Sequence, residues 1–430
     1  MEKKLLNKNF IILVIGQIVS VLGSAVLRFA IDLHVLDVSG RADVFATVLA
    51  LSLIPYVIFA PLGGVIADRF NRRNLMVVLD FLNGAVVAVL ILLFLMNQAS
   101  LVAITIVLIF LSLISAVYQP TVQASVPTLV NEESLASANG LVSALNSLSN
   151  LCAPVLGGVL YGLLGIDVLL TISSIVFILA AVMEIFIKMP FIKPEGSGSL
   201  LQIVKADLKQ GFSYMVHENS LILKTCVLAT FLNLILSAFL IVGTPYILRM
   251  VMHSNNGMYS FGMMLAEVGT ILGALAAGKF TQKMTIKGLY KWLFMIAGAL
   301  LPMALSVTSG VLHLGYLPSF VLYFVFAVFI MSVATIITIF VITKIQTETP
   351  NELLGKIMSI VLAAASCALP LGQMFYGVLL EKFKSSIFLP ILLVAALTAI
   401  LALFGKAVLA DADRKQLRQP SELASEKSIK

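Results

Sequence analysis

The sequence predicts an all-α integral membrane protein of twelve transmembrane helices in two six-helix halves, and three observations support this prediction. Only 11% of the 430 residues are charged and 60% are hydrophobic, whereas about 25% of the residues of an ordinary soluble domain are charged. Apolar stretches of about twenty residues, the length that crosses a bilayer core, recur along the chain. Short sequence patterns also recur at equivalent places in the two halves.

The apolar stretches define the twelve predicted spans. None of them alternates polar and apolar residues over the length that a transmembrane β-strand requires, so a helix bundle is the class that fits. An even number of spans places both termini on the same side. The predicted spans are Phe10–Val35, Val44–Ala67, Leu75–Leu95, Leu101–Val122, Gly140–Leu164, Val168–Ile187, Leu221–Met250, Tyr259–Lys279, Leu289–Thr308, Leu317–Thr343, Leu353–Val378 and Ile387–Leu409.

The distribution of basic residues predicts the orientation. Of the 28 Lys and Arg residues, we assign Arg28 to the interior of a span, four to loops on one side and 23 to the other side. Because Lys and Arg are enriched in cytoplasmic loops, both termini are predicted to be cytoplasmic in a multi-pass membrane protein. The net charge of +7 then faces lipid headgroups, and no basic patch with interleaved aromatic residues indicates a nucleic-acid partner. The four residues are Arg41, Arg249, Lys382 and Lys384.

A polar interruption divides the predicted spans into six and six. We predict an N-terminal half at residues 1–189, a cytoplasmic linker at 190–220, a C-terminal half at 221–410 and a cytoplasmic tail at 411–430. Apolar residues from Leu201 to Met215 recur at steps of three and four, which predicts an amphipathic helix, either on the membrane surface or in solvent. One chain contains both halves, so a monomer is expected to be sufficient for function.

Two patterns relate the halves to each other. Residues 67–73, Ala-Asp-Arg-Phe-Asn-Arg-Arg, follow span two, and residues 277–283, Ala-Gly-Lys-Phe-Thr-Gln-Lys, follow span eight. Spans five and eleven each contain a serine eleven residues before a proline. Duplicated bundles of this kind place their substrate site near the bilayer midplane and alternate access to it, which favours a transport function with a small-molecule substrate.

Residues 64–73 resemble the loop signature of the major facilitator superfamily, in which a Gly, and an Asp four residues later, precede a basic cluster. The resemblance implies a cytoplasmic gate, which a carboxylate near the start of span three is expected to join. Asn71 stands where the signature has Gly, and because Asn tolerates a left-handed backbone the loop is still expected to turn. The predicted gate residues are Gly64, Asp68, Arg69, Arg72, Arg73 and Asp80.

Residues 153–158, Ala-Pro-Val-Leu-Gly-Gly, resemble a motif associated with antiporters of this superfamily. The resemblance implies that Pro154, Gly157 and Gly158 serve antiport, whereas their size and the proline alone predict a helix-packing seam. Residues 5–410 further resemble the macrolide-efflux and enterobactin-exporter-like branch, notably at 118–133 and 354–356. Members of that branch often have an Arg in span four, where Leu111 stands here, so proton coupling is expected to use other residues.

Ionisable side chains at membrane depth are costly, so they indicate function. Glu267 lies about 18 Å along its helix from Lys279, near the midplane, where it can bind a proton on one side and release it on the other. Bonding to a neighbouring helix is the alternative role. Arg28 and Asp32 share one face of span one and can offset each other's charge, so they are candidates for proton coupling or for an outer gate.

Three asparagines inside spans, Asn146, Asn150 and Asn233, are candidates for substrate binding, with hydrogen bonds between helices as the alternative. The 17 Met and 26 Phe residues offer adaptable apolar surface for bulky substrates. We therefore expect proton-coupled export of hydrophobic or amphiphilic molecules by alternating access. The alternative is an importer of a small nutrient or a carrier of lysophospholipid with the same fold.

Other function classes lack the residue patterns that they require. No Gly-x-x-x-x-Gly-Lys-Ser/Thr phosphate loop indicates an ATP-driven pump. The four histidines are scattered and the three cysteines are isolated within spans, so neither a metal site nor an intramembrane enzyme is predicted. No cofactor is expected. These residues are His34, His217, His253, His313, Cys152, Cys226 and Cys367.

Overall fold

The computed structural model describes residues 8–189 and 200–427, and this part of the chain is helical and contains no strand. Span seven is interrupted by two π-helical stretches, Asn233–Ser237 and Ile247–Val251. The helices are α1 (Lys8–Ser39), α2 (Ala42–Arg69), α3 (Arg72–Leu95), α4 (Leu101–Leu129), α5 (Glu132–Ile185), α6 (Leu200–His217), α7 (Ser220–Leu232), α8 (Ala238–Tyr246), α9 (Asn256–Phe280), α10 (Leu289–Leu305), α11 (Ser309–Leu312), α12 (Tyr316–Glu348), α13 (Asn351–Lys382) and α14 (Phe388–Lys427).

Among the described residues, 11 helical stretches are long and apolar enough to cross a membrane. One of them, Leu145–Ile185, has 41 residues and covers predicted spans five and six. At about 1.5 Å per residue it is roughly twice as long as a bilayer core is thick. Its helix is broken at Gly165, where φ is 77° and ψ is 174°, a backbone that glycine adopts readily. The predicted all-α membrane bundle is confirmed, whereas the count of twelve crossings stays a prediction.

Large apolar side chains cover much of the outer surface. Leu95, Leu163 and Leu275 are 71%, 77% and 78% exposed. Many neighbouring Leu, Ile, Val and Phe side chains are also exposed, to an extent that water would not tolerate on a monomeric protein. Lipid is the solvent that this surface fits.

The chain divides into two compact units. Unit 1 contains Met1–Ile203 together with Leu248–Met264, and unit 2 contains Val204–Ile247 together with Leu265–Lys430. Unit 1 therefore includes the end of span seven and the first turns of α9, which the predicted half at 221–410 assigns to the C-terminal side.

In unit 1, α5 packs against both α1 and α3, and α2 packs against α4. An apolar cluster that includes Phe10, Leu13, Met76 and Val126 joins α1, α3, α4 and α5 at one end. The contact between α3 and α5 is close at Gly84, where the Ser174 hydroxyl donates to the Gly84 carbonyl oxygen at 3.0 Å. This bond satisfies a buried hydroxyl group.

Helices α2 and α4 approach each other closely at Gly63. A Cβ atom there would overlap the Ala116 carbonyl oxygen, whereas a Cβ atom at Gly64 would meet nothing within 4 Å. Because overpacking a tight contact costs about 1–3 kcal/mol, we expect Gly63→Ala to lower the Tm of the detergent-solubilised protein by several degrees. The neighbouring control, Gly64→Ala, should leave it nearly unchanged. Thermal-shift assays check this, and equal Tm values for the two variants would contradict the close approach.

In unit 2, α13 packs against α7 and α8, and α10 packs against α12 and α14. Gly372 of α13 faces the first π-helical stretch, so closely that a Cβ atom would lie 2.5 Å from the Leu234 carbonyl oxygen. Pro245 precedes the second π-helical stretch and lacks the backbone N–H that a regular helix uses. Such π-helical irregularities are frequent at functional sites.

Helix α6 lies within the predicted linker and packs on the start of α13. The Lys356 amine donates to the Gln210 side chain at 2.7 Å, and Gly211 allows the close approach of Ile360. Of the predicted apolar face, Met215 is buried and both Leu208 and Phe212 are exposed, while the side chains of Leu201 and Val204 lie outside the described part. Its position on the membrane surface stays a prediction.

Candidate functional site

Unit 1 contains a cavity of about 400 Å³, here called the polar cavity. Ser20, Ser24 and Arg28 stand four residues apart on α1, so they share one helix face and line the cavity together. Only Val21, Ala25 and Leu53 contribute apolar side chains among its described lining residues. The polar lining residues are Ser20, Ser24, Arg28, Tyr56, Asn83, Ser112, Ser115, Tyr118, Gln119, Asn146 and Asn150.

The structure brings two of the three predicted substrate-binding asparagines to this cavity. Asn146 and Asn150 lie one helical turn apart on α5 and line the wall together with Arg28. Asn233 lies in unit 2, where its amide nitrogen donates to the Ala229 carbonyl oxygen at 3.1 Å. No Met or Phe is among the described residues that line the cavity, so the adaptable apolar surface expected from the composition is not located there.

Arg28 reaches across the cavity to α4. Its guanidinium donates to the Ser112 hydroxyl at 2.9 Å. It makes no salt bridge with Asp32, which lies one helical turn further along α1. Ser112 directly follows Leu111, where the family resemblance expects an Arg in span four. A guanidinium therefore lies beside the expected position, supplied by α1.

Glu267 lies on α9 in unit 2 and is half-buried. It makes no hydrogen bond or ion pair with another described residue. Two residues further on, Gly269 packs against α12, and the Ser332 hydroxyl donates to the Gly269 carbonyl oxygen at 2.8 Å. This contact holds the backbone next to Glu267 while the carboxylate remains unbonded within the described chain.

A buried cluster, here called the carboxyl pair, consists of Asp80 on α3 and Glu184 on α5, which are both 0% exposed. The Tyr118 hydroxyl lies between them, 2.8 Å from Glu184 Oε1 and 3.5 Å from Asp80 Oδ2. Ser20 donates to Asp80 at 2.9 Å and Asn83 at 3.4 Å, while the Gln17 amide donates to the Tyr118 oxygen at 2.8 Å. Four helices of unit 1 thus meet at two carboxyl groups.

The sequence reasoning missed Glu184. It stands inside predicted span six, three residues before its end at Ile187, and an acidic residue inside a span is itself a signal of function. Its pairing with Asp80 could not be read from the sequence because the two residues belong to different helices. Asp80, assigned to the gate by its depth in span three, has its described hydrogen bonds within this cluster instead.

The predicted gate loop joins α2 to α3. Arg72 donates to the carbonyl oxygens of Ala67 and Ala124, and Arg73 donates to that of Ile187 at 3.2 Å. Arg72 therefore connects the start of α3 to the ends of α2 and α4, and Arg73 connects it to the segment after α5. Arg69 is exposed, Gly64 has open space around it, and the side chain of Asp68 lies outside the described part.

Asn71 supports the turn of this loop in a different way from the one expected. Its φ of −62° and ψ of 112° are not left-handed, so the expected reason for its tolerance was wrong. Its side chain instead accepts a hydrogen bond from the Asn74 N–H at 3.3 Å. Asn71 is therefore the N-cap of α3, a position that Asn favours.

The motif at 153–158 forms a close-packed seam. A Cβ atom at Gly157 would lie 3.1 Å from the Val26 carbonyl oxygen, and one at Gly158 would overlap the Ser260 hydroxyl. Pro154 is buried within the same helix. These contacts support the packing interpretation of the motif. Gly157 faces α1, and Gly158 faces the first turns of α9.

A second network, here called the Asp37 latch, lies at the end of α1. Arg249 forms two hydrogen bonds to the Asp37 carboxylate, 2.5 Å from Nε and 2.7 Å from Nη2, and a third to the Ser254 carbonyl oxygen at 2.8 Å. The Tyr161 hydroxyl lies 3.4 Å from Asp37 and 3.2 Å from His34 Nδ1. Sequence reasoning assigned Arg249 and His34 only to loops or span ends, because their partners are distant in the chain.

Comparison with known sequences identifies relatives over most of the chain. The profile of the Major Facilitator Superfamily matches residues 13–369. Macrolide efflux protein A of Streptococcus pyogenes is 26% identical over 378 residues, which are 85% of this chain and 88% of that protein. Macrolide efflux protein A of Enterococcus faecalis is 27% identical over 341 residues, 76% of this chain and 99% of that protein. The predicted resemblance to this superfamily and branch is confirmed.

Solved structures share the fold at low sequence identity. A mutant of the nucleoside transporter NupG superposes with a TM-score of 0.73 at 12% identity, covering 94% of this chain and 100% of that one. A bacterial homologue of the human lysosomal transporter Spinster gives a TM-score of 0.68 at 14% identity, covering 95% and 97%. These similarities establish the fold and do not choose a substrate.

Proposed function

Because the chain belongs to the Major Facilitator Superfamily, we propose that this transporter exports amphiphilic, macrolide-like molecules in exchange for protons across a bacterial plasma membrane. The observation that carries the proposal is the polar cavity, in which Arg28, Asn146 and Asn150 converge in a membrane-embedded unit. The similarity to two macrolide efflux proteins supports the export direction.

The lining of the polar cavity narrows the substrate class. Its hydroxyl, amide and guanidinium groups can bond to the hydroxyl, ether and carbonyl oxygens that a macrolide carries around its apolar ring. A few well-placed polar groups of this kind fix the orientation of a bound ligand. A purely hydrophobic dye would leave these polar groups without partners, which costs binding free energy. We therefore expect oxygen-rich amphiphiles to be better substrates than lipophilic dyes.

Proton coupling needs groups that bind and release protons at membrane depth. Glu267, without a described internal partner, and Asp32, close to the charge of Arg28, are the proposed groups. The membrane potential supplies about 2.3 kcal/mol per charge per 100 mV to such an exchange. In the proposed monomer both termini are cytoplasmic, so the predicted gate loop between α2 and α3 faces the cytoplasm and the Asp37 latch faces outward.

A second candidate function is import of a small polar nutrient. The hydroxyl and amide groups in the lining of the cavity favour it, because they also suit a hydrophilic solute. Direction of transport separates import from export.

The test is accumulation of a radiolabelled macrolide, with a fluorescent lipophilic dye alongside, in cells that express the protein or an empty vector. Lower macrolide accumulation that a protonophore abolishes would support proton-driven export, and a smaller effect on the dye would support the oxygen-rich substrate class. Unchanged or higher accumulation of the macrolide would refute export.

Removing either proposed coupling carboxylate should uncouple transport from the proton gradient. We expect Glu267→Gln and Asp32→Asn each to lower gradient-driven macrolide transport in vesicles by about tenfold, a typical size for coupling between two binding sites. Asp167→Asn, which neutralises an exposed carboxylate on α5, is the control and should transport normally. Wild-type rates for both test variants would exclude these residues from coupling.

A further inference from the structure

Two negative charges on the carboxyl pair are costly, because few hydrogen-bond donors face it. The Tyr118 hydroxyl carries a single proton, which it can donate to Glu184 or to Asp80 but not to both. Two buried carboxylates that share one site repel each other, so one of them is favoured in its neutral form. Among the described residues, no basic side chain donates a hydrogen bond to either carboxyl group.

The described charged side chains on the helices that form the pair either bind other groups or lie more than two helical turns from it, or are exposed. On α1, Lys8 and Arg28 are about 18 Å and 12 Å from Ser20 at the helical rise. On α3, Arg72 and Arg73 donate to backbone carbonyl oxygens. Between Leu101 and Leu129, α4 has no charged residue, and its titratable group at the pair is Tyr118.

On α5, the described charged residue besides Glu184 is Asp167, which is exposed about 26 Å away along the helix. Lys188, just beyond the end of α5, is also exposed, and its backbone N–H donates to the Asn9 side chain. The pair therefore has no described counter-ion on any of the four helices that form it. A bound proton can neutralise one of its two negative charges.

The two carboxyl groups are not equivalent. Asp80 accepts hydrogen bonds from Ser20 and Asn83, which stabilise its anionic form. Glu184 Oε2 is buried and has no partner among the described residues. A buried anionic oxygen without a donor is costly, so Glu184 is the group that carries the additional proton.

Three side chains connect the carboxyl pair to the polar cavity. Ser20, Asn83 and Tyr118 donate hydrogen bonds to the two carboxyl groups, and all three also line the cavity. A water molecule in the cavity can therefore reach the Tyr118 hydroxyl, and a bound substrate can displace that water. Proton exchange and occupancy of the cavity are thus linked through one side chain.

We propose that Asp80, Tyr118 and Glu184 form a proton-binding site that exchanges one proton with the polar cavity through the Tyr118 hydroxyl. To load the site, a hydronium ion in the cavity gives a proton to the Tyr118 oxygen while Tyr118 passes its own proton to Glu184. The pair then changes from two negative charges to one, and unloading is the reverse. The assignment rests on the proposed proton-coupled export and adds a coupling site in unit 1.

The test uses purified full-length protein in vesicles, with a radiolabelled macrolide as the probe. We expect pH-gradient-driven macrolide transport by Glu184→Gln and Asp80→Asn to fall by about tenfold or more relative to each variant's own macrolide exchange at zero pH gradient. Tyr118→Phe should slow the same gradient-driven step. Asp167→Asn is the matched carboxylate control. Gradient-driven transport at the wild-type rate in Glu184→Gln would overturn the proposal.

Infrared difference spectroscopy tests the site without any transport. The wild-type protein should show the carbonyl band of a buried protonated carboxylic acid, which disappears in Glu184→Gln and persists in Asp167→Asn. An absent band in folded wild-type protein across the accessible pH range would also overturn the proposal. Failure of the wild-type protein to export macrolide would refute the proposed function, while the infrared band would still decide whether the pair holds a proton.

Discussion

Truncation of Arg249 is expected to slow macrolide export by about tenfold, because it removes the bidentate partner of Asp37. The two side chains are 20% and 21% exposed, so solvent weakens the ion pair but does not replace it. Breaking a buried hydrogen-bonded charge pair costs about 2–5 kcal/mol, and we take the lower end for this partly exposed one. A tenfold change in an equilibrium needs about 1.4 kcal/mol, so the state that the Asp37 latch stabilises loses most of its advantage.

The measurement is the export rate of Arg249→Ala together with the accessibility of a cysteine placed in the polar cavity. For this purpose Ser24→Cys is made in a chain whose native cysteines are replaced. A membrane-impermeant thiol reagent added outside should react faster when the latch is broken, because the outer side opens more often. The exchanged pair, Asp37→Arg with Arg249→Asp, should recover part of the export rate.

A neighbouring ion pair provides the control for the latch. Arg41 and Asp43 form a bridge at 2.6 Å, but the Arg41 side chain is 58% exposed, and exposed pairs contribute little to stability. Arg41→Ala should therefore export normally. Equal effects of Arg41→Ala and Arg249→Ala would mean that net charge at this end of the protein matters, and that the specific latch does not.

Enlarging Gly158 is expected to abolish export. Even a methyl group at this position would overlap the Ser260 hydroxyl, and Ser260 is only 2% exposed. Because both helix backbones would have to separate, Gly158→Val should prevent the seam between α5 and the start of α9 from closing. Alternating access requires such seams to open and close in turn, so export should fall to the level of the empty vector while the protein still inserts into the membrane.

The best control for the seam exchanges the small and the larger side chain between its two helices. The double variant Gly158→Ser with Ser260→Gly moves the hydroxymethyl group to the other helix, so it should export better than Gly158→Ser alone. Gly278→Ala, at a glycine of α9 where a Cβ atom meets nothing within 4 Å, should behave like the wild type. Full export by Gly158→Val would show that transport does not require this seam to close.

Much of the helical architecture could be predicted because lipid imposes a simple rule on sequence. A membrane-crossing helix must form all its backbone hydrogen bonds internally and present about twenty apolar residues to lipid. Each span therefore appears in the sequence as a continuous apolar stretch. The break between predicted spans five and six coincides with Gly165, where φ is 77°, a backbone that glycine adopts readily. The turn at Asn71 was expected as well, although its mechanism, side-chain capping of α3, was not.

The candidate site was predictable only in part. Asn146, Asn150 and Arg28 were singled out as polar residues inside spans, and the structure gathers them around the polar cavity. Asp80 was assigned to the gate by its depth in span three, but the structure places it beside Glu184, which belongs to a helix that begins more than fifty residues later. Depth along a helix can be counted from a sequence, whereas the direction in which a side chain faces its neighbours cannot.

The sequence by itself determined that the protein is a bundle of membrane helices, where most of those helices run, and which superfamily the chain resembles. It did so because hydrophobic length and short loop motifs are local properties of the chain. Only the tertiary structure decided that Asp80 and Glu184 share Tyr118, that Asp37 binds Arg249, and that Gly158 faces Ser260. Each of these contacts joins residues far apart in sequence, and their meeting depends on how the helices pack against one another.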